Sequence, residues 1–415
     1  MKVEVSKGKL AGSIRIPASK SHTIRALLIA TLAEGESTIS HPLNSADTRA
    51  CKAACIAMGA KITETETSWI VEGTGGKLTQ PSEVIDVGNS GTTLYLAAAV
   101  AALANFPITF TGDYQIQRRS AANLLNSLED LGVKVESNNG CAPFTITGPI
   151  MGGETSIECP TSQYLSALLL AAPLSKGKTV INVPLLHEKP YAEMTVRWMD
   201  EQGITIDDSD YSHFIIDGNK KYNNFSRAIP ADFSSSAFFF TAAAVTGSTL
   251  TLEGLDMSDS QGDKAIVDYL KKMGCEITID NDKMTITGKE MKGCDLDINA
   301  TPDALPALSA CACYAKGTTR LLNVPQARMK ETDRIAVMTS ELRKMGANIV
   351  ELEDGMEITG GPLHGAEVSG HDDHRVVMSL AIAALGCEGI NIIDTAEAVD
   401  ITFPGFFEHL NRLKI

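Results

Sequence analysis

Residues 15–39 read RIPASKSHTIRALLIATLAEGESTI, and this stretch decides the fold because its pattern recurs along the chain. A short extended segment leads through small polar residues into a helix rich in alanine and leucine, and a glycine then precedes a β-branched strand. Five more copies keep this order: residues 86–110, 158–181, 229–252, 299–322 and 369–392. Such a recurrence predicts repeated supersecondary units.

The repeat is close to seventy residues long. The polar cluster of each copy is anchored, in order, on Ser19, Asn89, Thr161, Ser234, Asp303 and Asp373, in steps of 70, 72, 73, 69 and 70 residues. A second helix between successive copies ends at Gly59, Gly132, Gly203, Gly274 and Gly346, in steps of 73, 71, 71 and 72. Each repeat is therefore predicted to hold two helices and about four short strands.

The two ends of the chain complete this pattern. The sixth copy stops before its closing strands, and the chain begins with two strand patterns, KVEVS and GSIRIP, that belong to no complete copy. We infer that the N-terminal strands complete the last repeat. The prediction is an α/β (α+β) fold of two similar domains, each of three βαβαββ-type units, with the active site in the interdomain cleft. The first domain covers 19–229 and the second 1–18 plus 230–415; one continuous solenoid is the alternative.

Composition limits the partners. The chain has 415 residues, 44 % of them hydrophobic and 21 % charged, which is typical of a globular protein with sizeable cores. Its 36 basic and 51 acidic residues give a net charge of −15, which disfavours nucleic acid and anionic membranes as partners. The N-terminus has no signal-peptide pattern, and the most apolar run, residues 96–104, is too short to span a membrane. We expect a cytoplasmic protein, and if its ligand is anionic, positive charges must be concentrated at the binding site.

Cysteine and histidine patterns argue against several chemistries. The nine cysteines include no C-x-x-C pair and indicate buried thiols in a reducing compartment. A cysteine nucleophile stays open, since a histidine partner could be close in space. The eight histidines form no H-x-x-x-H or H-E-x-x-H pattern, so a metal site is poorly supported, and the chain lacks a G-x-x-x-x-G-K-[ST] nucleotide-binding loop.

The polar clusters have two interpretations. Small polar residues at helix starts are ordinary N-caps. The same helix N-termini attract phosphate or carboxylate, and several basic residues lie at or near them: Lys20, Arg25, Arg118, Arg119, Lys330, Arg334 and Arg375. Asp303, Glu331 and Asp373 add carboxylates suited to proton transfer, with His374 beside them. Alternatively, RMKETDR at 328–334 could be an exposed helix of ion pairs.

Six motifs together resemble one enzyme family. They are PASKSHTIRALLIA at 17–30, VGNSGTT at 87–93, PTSQYLSALL at 160–169, KPYAEMT at 189–195, RMKETDR at 328–334 and DDHRVVMS at 372–379. In order and spacing they are similar to the 3-phosphoshikimate 1-carboxyvinyltransferase (EPSP synthase) family over essentially the whole chain. The resemblance implies transfer of the enolpyruvyl group of phosphoenolpyruvate to the 5-hydroxyl of shikimate 3-phosphate, through a tetrahedral intermediate and without metal or organic cofactor.

The resemblance also implies roles for individual residues. The catalytic residues would be Lys20, Asp303, Glu331 and His374, with Asp303 as the base near the attacking hydroxyl and Glu331 handling the proton on the methylene carbon. Shikimate 3-phosphate would contact Lys20, Ser21, Arg25, Thr161, Ser162, Gln163, Tyr191, Asp303, Gln326 and Lys330. Phosphoenolpyruvate would contact Lys20, Asn89, Gly91, Thr92, Arg119, Gln163, Arg334 and Arg375. We expect the enzyme to be a monomer.

The chain departs from the family pattern at several of these positions. Glu188 stands where a serine usually helps to bind the shikimate phosphate, and Gln326 stands where asparagine is usual. Tyr95 replaces a common arginine, and Ile401 replaces a lysine that normally contacts phosphoenolpyruvate. These changes bear on substrate affinity more than on the class of reaction.

Two other functions stay open on the sequence. The related enolpyruvyl transferases that act on UDP-N-acetylglucosamine carry a catalytic cysteine in a loop that corresponds to residues 111–125, where this chain has none. A diverged paralogue that binds phosphorylated metabolites, with weakened affinity for phosphoenolpyruvate, would explain Glu188 and Ile401.

Overall fold

The computed structural model describes residues 1–208 and 210–415. In chain order, its α-helices are α1 Lys20–Leu32, α2 Ala46–Ala57, α3 Gly91–Ala101, α4 Ala122–Asp130, α5 Ser162–Ala171, α6 Lys189–Glu201, α7 Phe233–Thr246, α8 Ile266–Met273, α9 Leu305–Ala312, α10 Arg334–Lys344, α11 His374–Gly386 and α12 Phe406–Leu413. Short 3-10 helices cover Ile116–Arg118, Ala172–Leu174, Gly262–Ala265, Pro302–Ala304, Pro325–Met329 and Ala396–Ile401.

The strands before Pro230 are β1 Val3–Ser6, β2 Ala11–Arg15, β3 Ala33–Glu34, β4 Glu36–Ser40, β5 Lys61–Glu64, β6 Ser68–Glu72, β7 Ile85–Asp86, β8 Ile108–Thr111, β9 Lys134–Asn138, β10 Cys141–Thr147, β11 Gly153–Cys159, β12 Thr179–Leu186, β13 Asp207–Asp208, β14 His213–Ile216, β15 Tyr222–Asn223 and β16 Ser226–Ala228. Those after it are β17 Thr249–Glu253, β18 Glu276–Asp280, β19 Lys283–Thr287, β20 Asp295–Asp297, β21 Thr318–Leu322, β22 Asn348–Leu352, β23 Gly355–Thr359, β24 Glu367–Val368 and β25 Ile390–Ile393.

The chain divides into two compact units. One unit, here called the N-terminal unit, is Lys20–Ile229. The other, the C-terminal unit, combines Met1–Ser19 with Pro230–Ile415. Each unit has its own set of sheets and its own buried helices.

Within its described residues, the N-terminal unit has three four-stranded sheets of the same design. Their strand orders are β16-β4-β6-β5, β7-β8-β10-β9 and β11-β12-β14-β13, and a two-stranded pair β15-β3 accompanies them. In each four-stranded sheet the first pair of strands is parallel and the other two pairs are antiparallel. Helices α1, α3 and α5 are buried on nearly all sides, and α3 packs against both α1 and α5. The continuous apolar faces of these helices explain why they form the core.

The C-terminal unit repeats this design, except that one of its sheets has three strands. Its sheets have the orders β18-β19-β17-β2, β20-β21-β23-β22 and β1-β25-β24. Helices α7, α9 and α11 are buried and pack against one another in all three pairs. The aromatic side chains of Phe238, Phe239, Phe403 and Phe406 fill part of the same core with edge-to-face and tilted contacts.

The N-terminal strands go to two different repeats. Strand β1 pairs antiparallel with β25, with Val3 opposite Ile393, in the sheet of the sixth repeat. Strand β2 instead pairs in parallel with β17, with Ile14 opposite Leu252, and so belongs to the fourth repeat. The expectation that both N-terminal strands complete the last repeat was therefore wrong for β2. Alternating polarity identifies a strand but does not specify its partner.

The repeat anchors lie at the starts of the six inner helices. Helices α3, α5, α7 and α11 have Ser90, Thr161, Asp232 and Asp373 as N-caps, and each side chain accepts a backbone N–H of the first turn. The five glycines that close the second helices have φ between 73° and 110°, a backbone conformation that side chains disfavour. Among the described residues no helix is long and apolar enough to cross a membrane.

Candidate active site

Six charged residues of the C-terminal unit form one compact group, here called the ion cluster: Asp303, Lys330, Glu331, Arg334, Asp373 and Arg375. Asp303 lies in the 3-10 turn before α9, Arg334 begins α10, and Asp373 is the N-cap of α11. Three cations thus face three carboxylates at the starts of neighbouring helices, and the group is nearly neutral as a whole.

Arg334 is the centre of the ion cluster. Its Nε donates to Asp373 Oδ2 at 2.8 Å and its Nη2 to Asp373 Oδ1 at 3.2 Å. Its Nη1 donates to Asp303 Oδ1 at 2.8 Å, and a further bond reaches Glu331. The side chain is 1 % exposed. Burial alone would lower the pKa of Arg334, but the carboxylates of Asp373, Glu331 and Asp303 raise it above its ordinary value, so the guanidinium stays charged.

Asp303 connects the remaining cations. Its Oδ2 lies 2.9 Å from Arg375 Nη2, and its Oδ1 lies 3.8 Å from Lys330 Nζ. The carboxylate keeps 17 % of its surface exposed, more than the side chains of Arg334 and Arg375. A carboxylate that keeps exposed surface can accept a proton from a group placed beside it.

Two other predicted residues lie buried in this unit. His374 is fully buried, with Nδ1 3.9 Å from Asp373 Oδ1. Gln326 is 1 % exposed; its Nε2 donates to the carbonyl of Asn299 at 2.8 Å, while its buried Oε1 accepts no hydrogen bond. Ile401, at the departure from the family pattern, is half-buried and packs on the core of this unit.

The RMKETDR stretch is not an exposed helix. Residues Pro325–Met329 form a 3-10 turn, and α10 begins only at Arg334. The Arg328 guanidinium bonds Asp333 and the carbonyls of Leu352 and Glu353. The ion-pair helix considered from the sequence was therefore wrong. Glu331 and Arg334 do pair three residues apart, but they are not on an exposed helix, and Lys330 and Arg334 also meet Asp303 and Asp373, which are distant in sequence.

A residue that the sequence reasoning missed holds the loop before Asp373. Glu341 of α10 is almost fully buried, and its carboxylate accepts from Ser369 N at 2.8 Å, His371 Nε2 at 3.0 Å and Lys344 Nζ at 2.7 Å. His371 and the next residue, Asp372, both have positive φ, a conformation that non-glycine residues seldom adopt. Glu341 therefore fixes the loop that leads into α11.

In the N-terminal unit, Lys20 is the first residue of α1. Its Nζ bonds Asp47 Oδ2 at 3.0 Å, and the side chains of Lys20 and Asp47 are 13 % and 4 % exposed. Asp47 lies in the first turn of α2, where a carboxylate is favoured. Nothing in the sequence reasoning had singled out this aspartate.

Arg25, predicted to contact shikimate 3-phosphate, is deeply buried. It is 1 % exposed and donates to Thr195 Oγ1 at 2.8 Å, Ser166 Oγ at 3.2 Å, the Tyr191 carbonyl at 2.9 Å and the Ser21 carbonyl at 3.1 Å. Burial lowers its pKa to about 10, against an opposing effect of Tyr191. Arg25 therefore joins α1, α5 and α6 around Ser21 and Tyr191, which the sequence had placed in one substrate site.

Arg119 lies against the start of α3. A Cβ on Gly91 would come within 2.6 Å of Arg119 Nη1, so glycine leaves the room that this guanidinium occupies. The hydroxyls of Tyr95 and Tyr164 both donate to the carbonyl of Ser120, at 3.2 and 2.6 Å, and anchor the chain next to Arg119. The anchoring of this carbonyl by two tyrosines is a third contribution that the sequence did not reveal.

Asn89, before α3, is held by loop residues. Its Nδ2 donates to Asp113 Oδ2 at 2.7 Å and Gln115 Oε1 at 2.6 Å, and its buried Oδ1 accepts no hydrogen bond. Thr92, in the first turn of α3, is half-buried. Arg118, by contrast, is exposed and stacks on the ring of Tyr114, 5.2 Å from its centroid.

The start of α5 contains a buried carboxylate. Thr161 Oγ1 donates to Glu188 Oε2 at 3.1 Å, and Ser162 Oγ lies 3.4 Å from the same oxygen. Glu188 is 1 % exposed. Gln163, next in the turn, has a buried Oε1 that accepts no hydrogen bond. Thr161 and Ser162, predicted to bind an anion, therefore lie together, and the Glu188 carboxylate accepts hydrogen bonds from their hydroxyls.

The cysteines behave as core residues. All nine are free, and seven are buried. Burial raises the pKa of the thiols of Cys51, Cys159, Cys275, Cys294, Cys311, Cys313 and Cys387. Among residues 1–208 and 210–415, no group of three or more His, Cys, Asp or Glu side chains is placed to hold a metal ion.

Comparison with known proteins gives one consistent result. The family model described as EPSP synthase (3-phosphoshikimate 1-carboxyvinyltransferase) matches residues 5–410. A 3-phosphoshikimate 1-carboxyvinyltransferase of Ruminiclostridium cellulolyticum is 50 % identical over 410 residues, covering 98 % of this chain and 97 % of the relative. That of Acetivibrio thermocellus is 49 % identical and covers 99 % and 98 %. The solved EPSP synthase of Acinetobacter baumannii superposes with a TM-score of 0.84 at 27 % identity, covering 100 % of this chain and 98 % of that one.

Proposed function

The chain belongs to the EPSP synthase family, and we propose that its residues transfer the enolpyruvyl group of phosphoenolpyruvate to the 5-hydroxyl of shikimate 3-phosphate, with release of phosphate. The observation that carries this function is the match of the family model over residues 5–410. The chain is thus a transferase of the shikimate pathway, which leads to the aromatic amino acids.

We assign shikimate 3-phosphate chiefly to the N-terminal unit. The hydroxyls of Thr161 and Ser162 lie at the start of α5, where backbone N–H groups and the helix dipole favour a phosphate. Lys20 and Ser21 at the start of α1 contribute a cation and a hydroxyl. Arg25 holds the carbonyls of Ser21 and Tyr191 and so orients this site.

We assign phosphoenolpyruvate to a second set of residues. Arg334 and Arg375 would bind its carboxylate, since guanidinium groups suit bidentate contacts with carboxylates. Arg119, packed on Gly91, would bind its phosphate, with Asn89 and Thr92 beside it. Gln163 has a free buried oxygen for a donor on either substrate.

The reaction is an addition followed by an elimination. The 5-hydroxyl oxygen bonds to C2 of phosphoenolpyruvate as Asp303 takes the hydroxyl proton, and C3 receives a proton from Glu331 or Lys20 and becomes a methyl group. The tetrahedral intermediate then loses phosphate from C2, and the phosphate carries away the proton held by Asp303. A methyl proton returns to the same acid–base group, which restores the double bond. Lys330 lies 3.8 Å from Asp303 and His374 lies 3.9 Å from Asp373, and we assign both, with Gln326, to the same site.

The same proposal covers the state of the enzyme in the cell. We place it in the cytoplasm as a monomer that needs no metal or organic cofactor. The nine thiols without a C-x-x-C pair suit a reducing compartment. Light scattering of the purified chain tests the oligomeric state.

A phosphate-release assay tests the function directly. The chain is incubated with phosphoenolpyruvate and either shikimate 3-phosphate or UDP-N-acetylglucosamine, with product identity checked by mass spectrometry. Release that depends on shikimate 3-phosphate is the expected result. Release with the nucleotide sugar, or binding of shikimate 3-phosphate without turnover, would contradict it in favour of a related transferase or a binding protein.

A further inference from the structure

Glu188 has an unusual position in the N-terminal unit. It is the residue before α6, its backbone is left-handed with φ 58° and ψ 37°, and it is 1 % exposed. A glutamate seldom adopts this conformation, and a carboxylate is seldom buried so completely. These two features together show that the fold keeps the side chain at one particular place.

That place is the start of another helix. The Glu188 side chain accepts no capping bond from its own helix α6. Its Oε2 instead meets the hydroxyls of Thr161 and Ser162, at 3.1 and 3.4 Å, and Thr161 is the N-cap of α5. The carboxylate therefore uses the hydroxyl donors that an anion bound at this helix start would need.

We propose that Glu188 is a specificity-determining residue that competes with the phosphate of shikimate 3-phosphate for the hydroxyls of Thr161 and Ser162. The inference rests on the proposed function. A carboxylate and a phosphate cannot both accept from the same hydroxyl protons, and two anions close together repel each other. Binding of the acceptor then requires the Glu188 carboxylate to leave these hydroxyls.

The consequence is that Glu188 lowers the affinity only for an acceptor that carries the phosphate. Shikimate without its phosphate would not meet this competition, and phosphoenolpyruvate is assigned to other residues. Glu188 thus weakens binding of shikimate 3-phosphate relative to a variant with a neutral side chain at this position.

The test uses Glu188→Gln and Glu188→Ser in the full chain. Glutamine keeps the length of the side chain and an acceptor oxygen but removes the charge. Serine removes the carboxyl group altogether, and this second variant is used if Glu188→Gln does not fold. Glu158→Gln, which removes one exposed negative charge from the same unit, is the matched control. Titration calorimetry measures the Kd of shikimate 3-phosphate and of shikimate for each protein.

The expected result is a tenfold or larger fall in the Kd of shikimate 3-phosphate in the folded Glu188 variants, with the Kd of shikimate and the KM of phosphoenolpyruvate unchanged. An unchanged or higher Kd, or equal tightening of shikimate and its phosphate, would overturn the inference. Phosphate release by the unaltered chain is measured first. Its absence would overturn the proposed function, whereas normal release with no tighter variant would overturn only the role of Glu188.

Discussion

Arg334 and Asp373 form a two-point ion pair in which both side chains are at most 1 % exposed. Arg334 begins α10, and Asp373 caps α11. The pair ties together two helices whose first turns carry the charged groups of the proposed reaction, and the same Asp373 oxygen that binds Arg334 Nη2 also accepts the backbone N–H of Arg375 at 2.9 Å.

Asp373→Asn should destabilise the fold strongly. Asparagine can still cap α11, but the ion cluster then holds three cations and two carboxylates in a buried place. Breaking a buried ion pair by removing one partner typically costs about 3–5 kcal/mol of stability. Because Asp303 and Glu331 still pair with Arg334, we expect a loss of unfolding free energy at the lower end of that range. Urea unfolding followed by circular dichroism measures it. Glu290→Gln, in the exposed pair with Lys316, is the control and should cost at most about 1 kcal/mol.

Asp303→Asn and Glu331→Gln should reduce kcat by about 10² to 10⁴, because general acid–base groups contribute about that much. The amides keep hydrogen-bonding capacity towards the arginines, so circular dichroism spectra should remain native. Steady-state phosphate release with both substrates saturating gives kcat. Glu353→Gln, an exposed carboxylate of the same unit, should behave as the unaltered enzyme. Near-full kcat in either active-site variant would show that its proposed role is wrong.

Gly91→Ala should raise the KM of phosphoenolpyruvate about tenfold, which corresponds to about 1.4 kcal/mol. The new methyl group would lie 2.6 Å from Arg119 Nη1, so the guanidinium has to move. Since Arg119 can shift without moving backbone, the melting temperature should change little. Gly361→Ala has open space at its Cβ and is the control. An unchanged KM in Gly91→Ala would mean that Arg119 does not bind this substrate where it lies now.

His371→Gln should destabilise the protein most in mildly acidic solution. The hydrogen bond and charge of Glu341 raise the pKa of His371 above 6.5, against desolvation. Burial raises the pKa of Glu341, but hydrogen bonds from His371, Lys344 and the Ser369 amide lower it to about 2. The His371 contribution is complete below pH 6.5 and is lost as pH rises through its raised pKa, whereas the Glu341 contribution is complete above pH 4.5 and is lost on acidification towards pH 2.

The measurement is the difference in melting temperature between the unaltered chain and His371→Gln across pH. It should be largest at about pH 4.5 to 6.5 and should shrink as the pH rises through the raised pKa of His371. His371 is 39 % exposed, so solvent screening keeps the effect modest. The charged groups that face His371 are Glu341, Lys344 and Asp394. The control is His364→Gln, which replaces an exposed histidine of the same unit. A difference that does not vary with pH would show that the Glu341–His371 pair does not titrate as stated.

The order of the repeats and most of the candidate residues could be predicted from the sequence. Inner helices begin within a few residues of each anchor, because small polar caps and alanine-rich apolar runs are local signals. The repeat anchors included Asp303, and the motifs included Glu331, Arg334 and Arg375, which the fold brings into one ion cluster. Position 209 lies outside the described residues and carried no predicted role.

Other features depend on contacts between distant segments. Four of these contacts join residues far apart in the chain. They are the pairing of β2 with β17, the ion pair of Lys20 with Asp47, the bonds of Tyr95 and Tyr164 to the Ser120 carbonyl, and the support of the 369–373 loop by Glu341. A departure such as Glu188 is visible in the sequence, but its hydrogen bonds to Thr161 and Ser162 are not.

The sequence by itself determined the repeat, the helix starts and the kinds of charged residue available, because capping, propensity and hydrophobic period act over a few neighbouring residues. Only the tertiary structure decided which charges are buried together, which strand closes which sheet and which hydroxyls already have a partner. These outcomes depend on burial and on the distance between groups, and the strength of an ionic contact changes steeply with its surroundings.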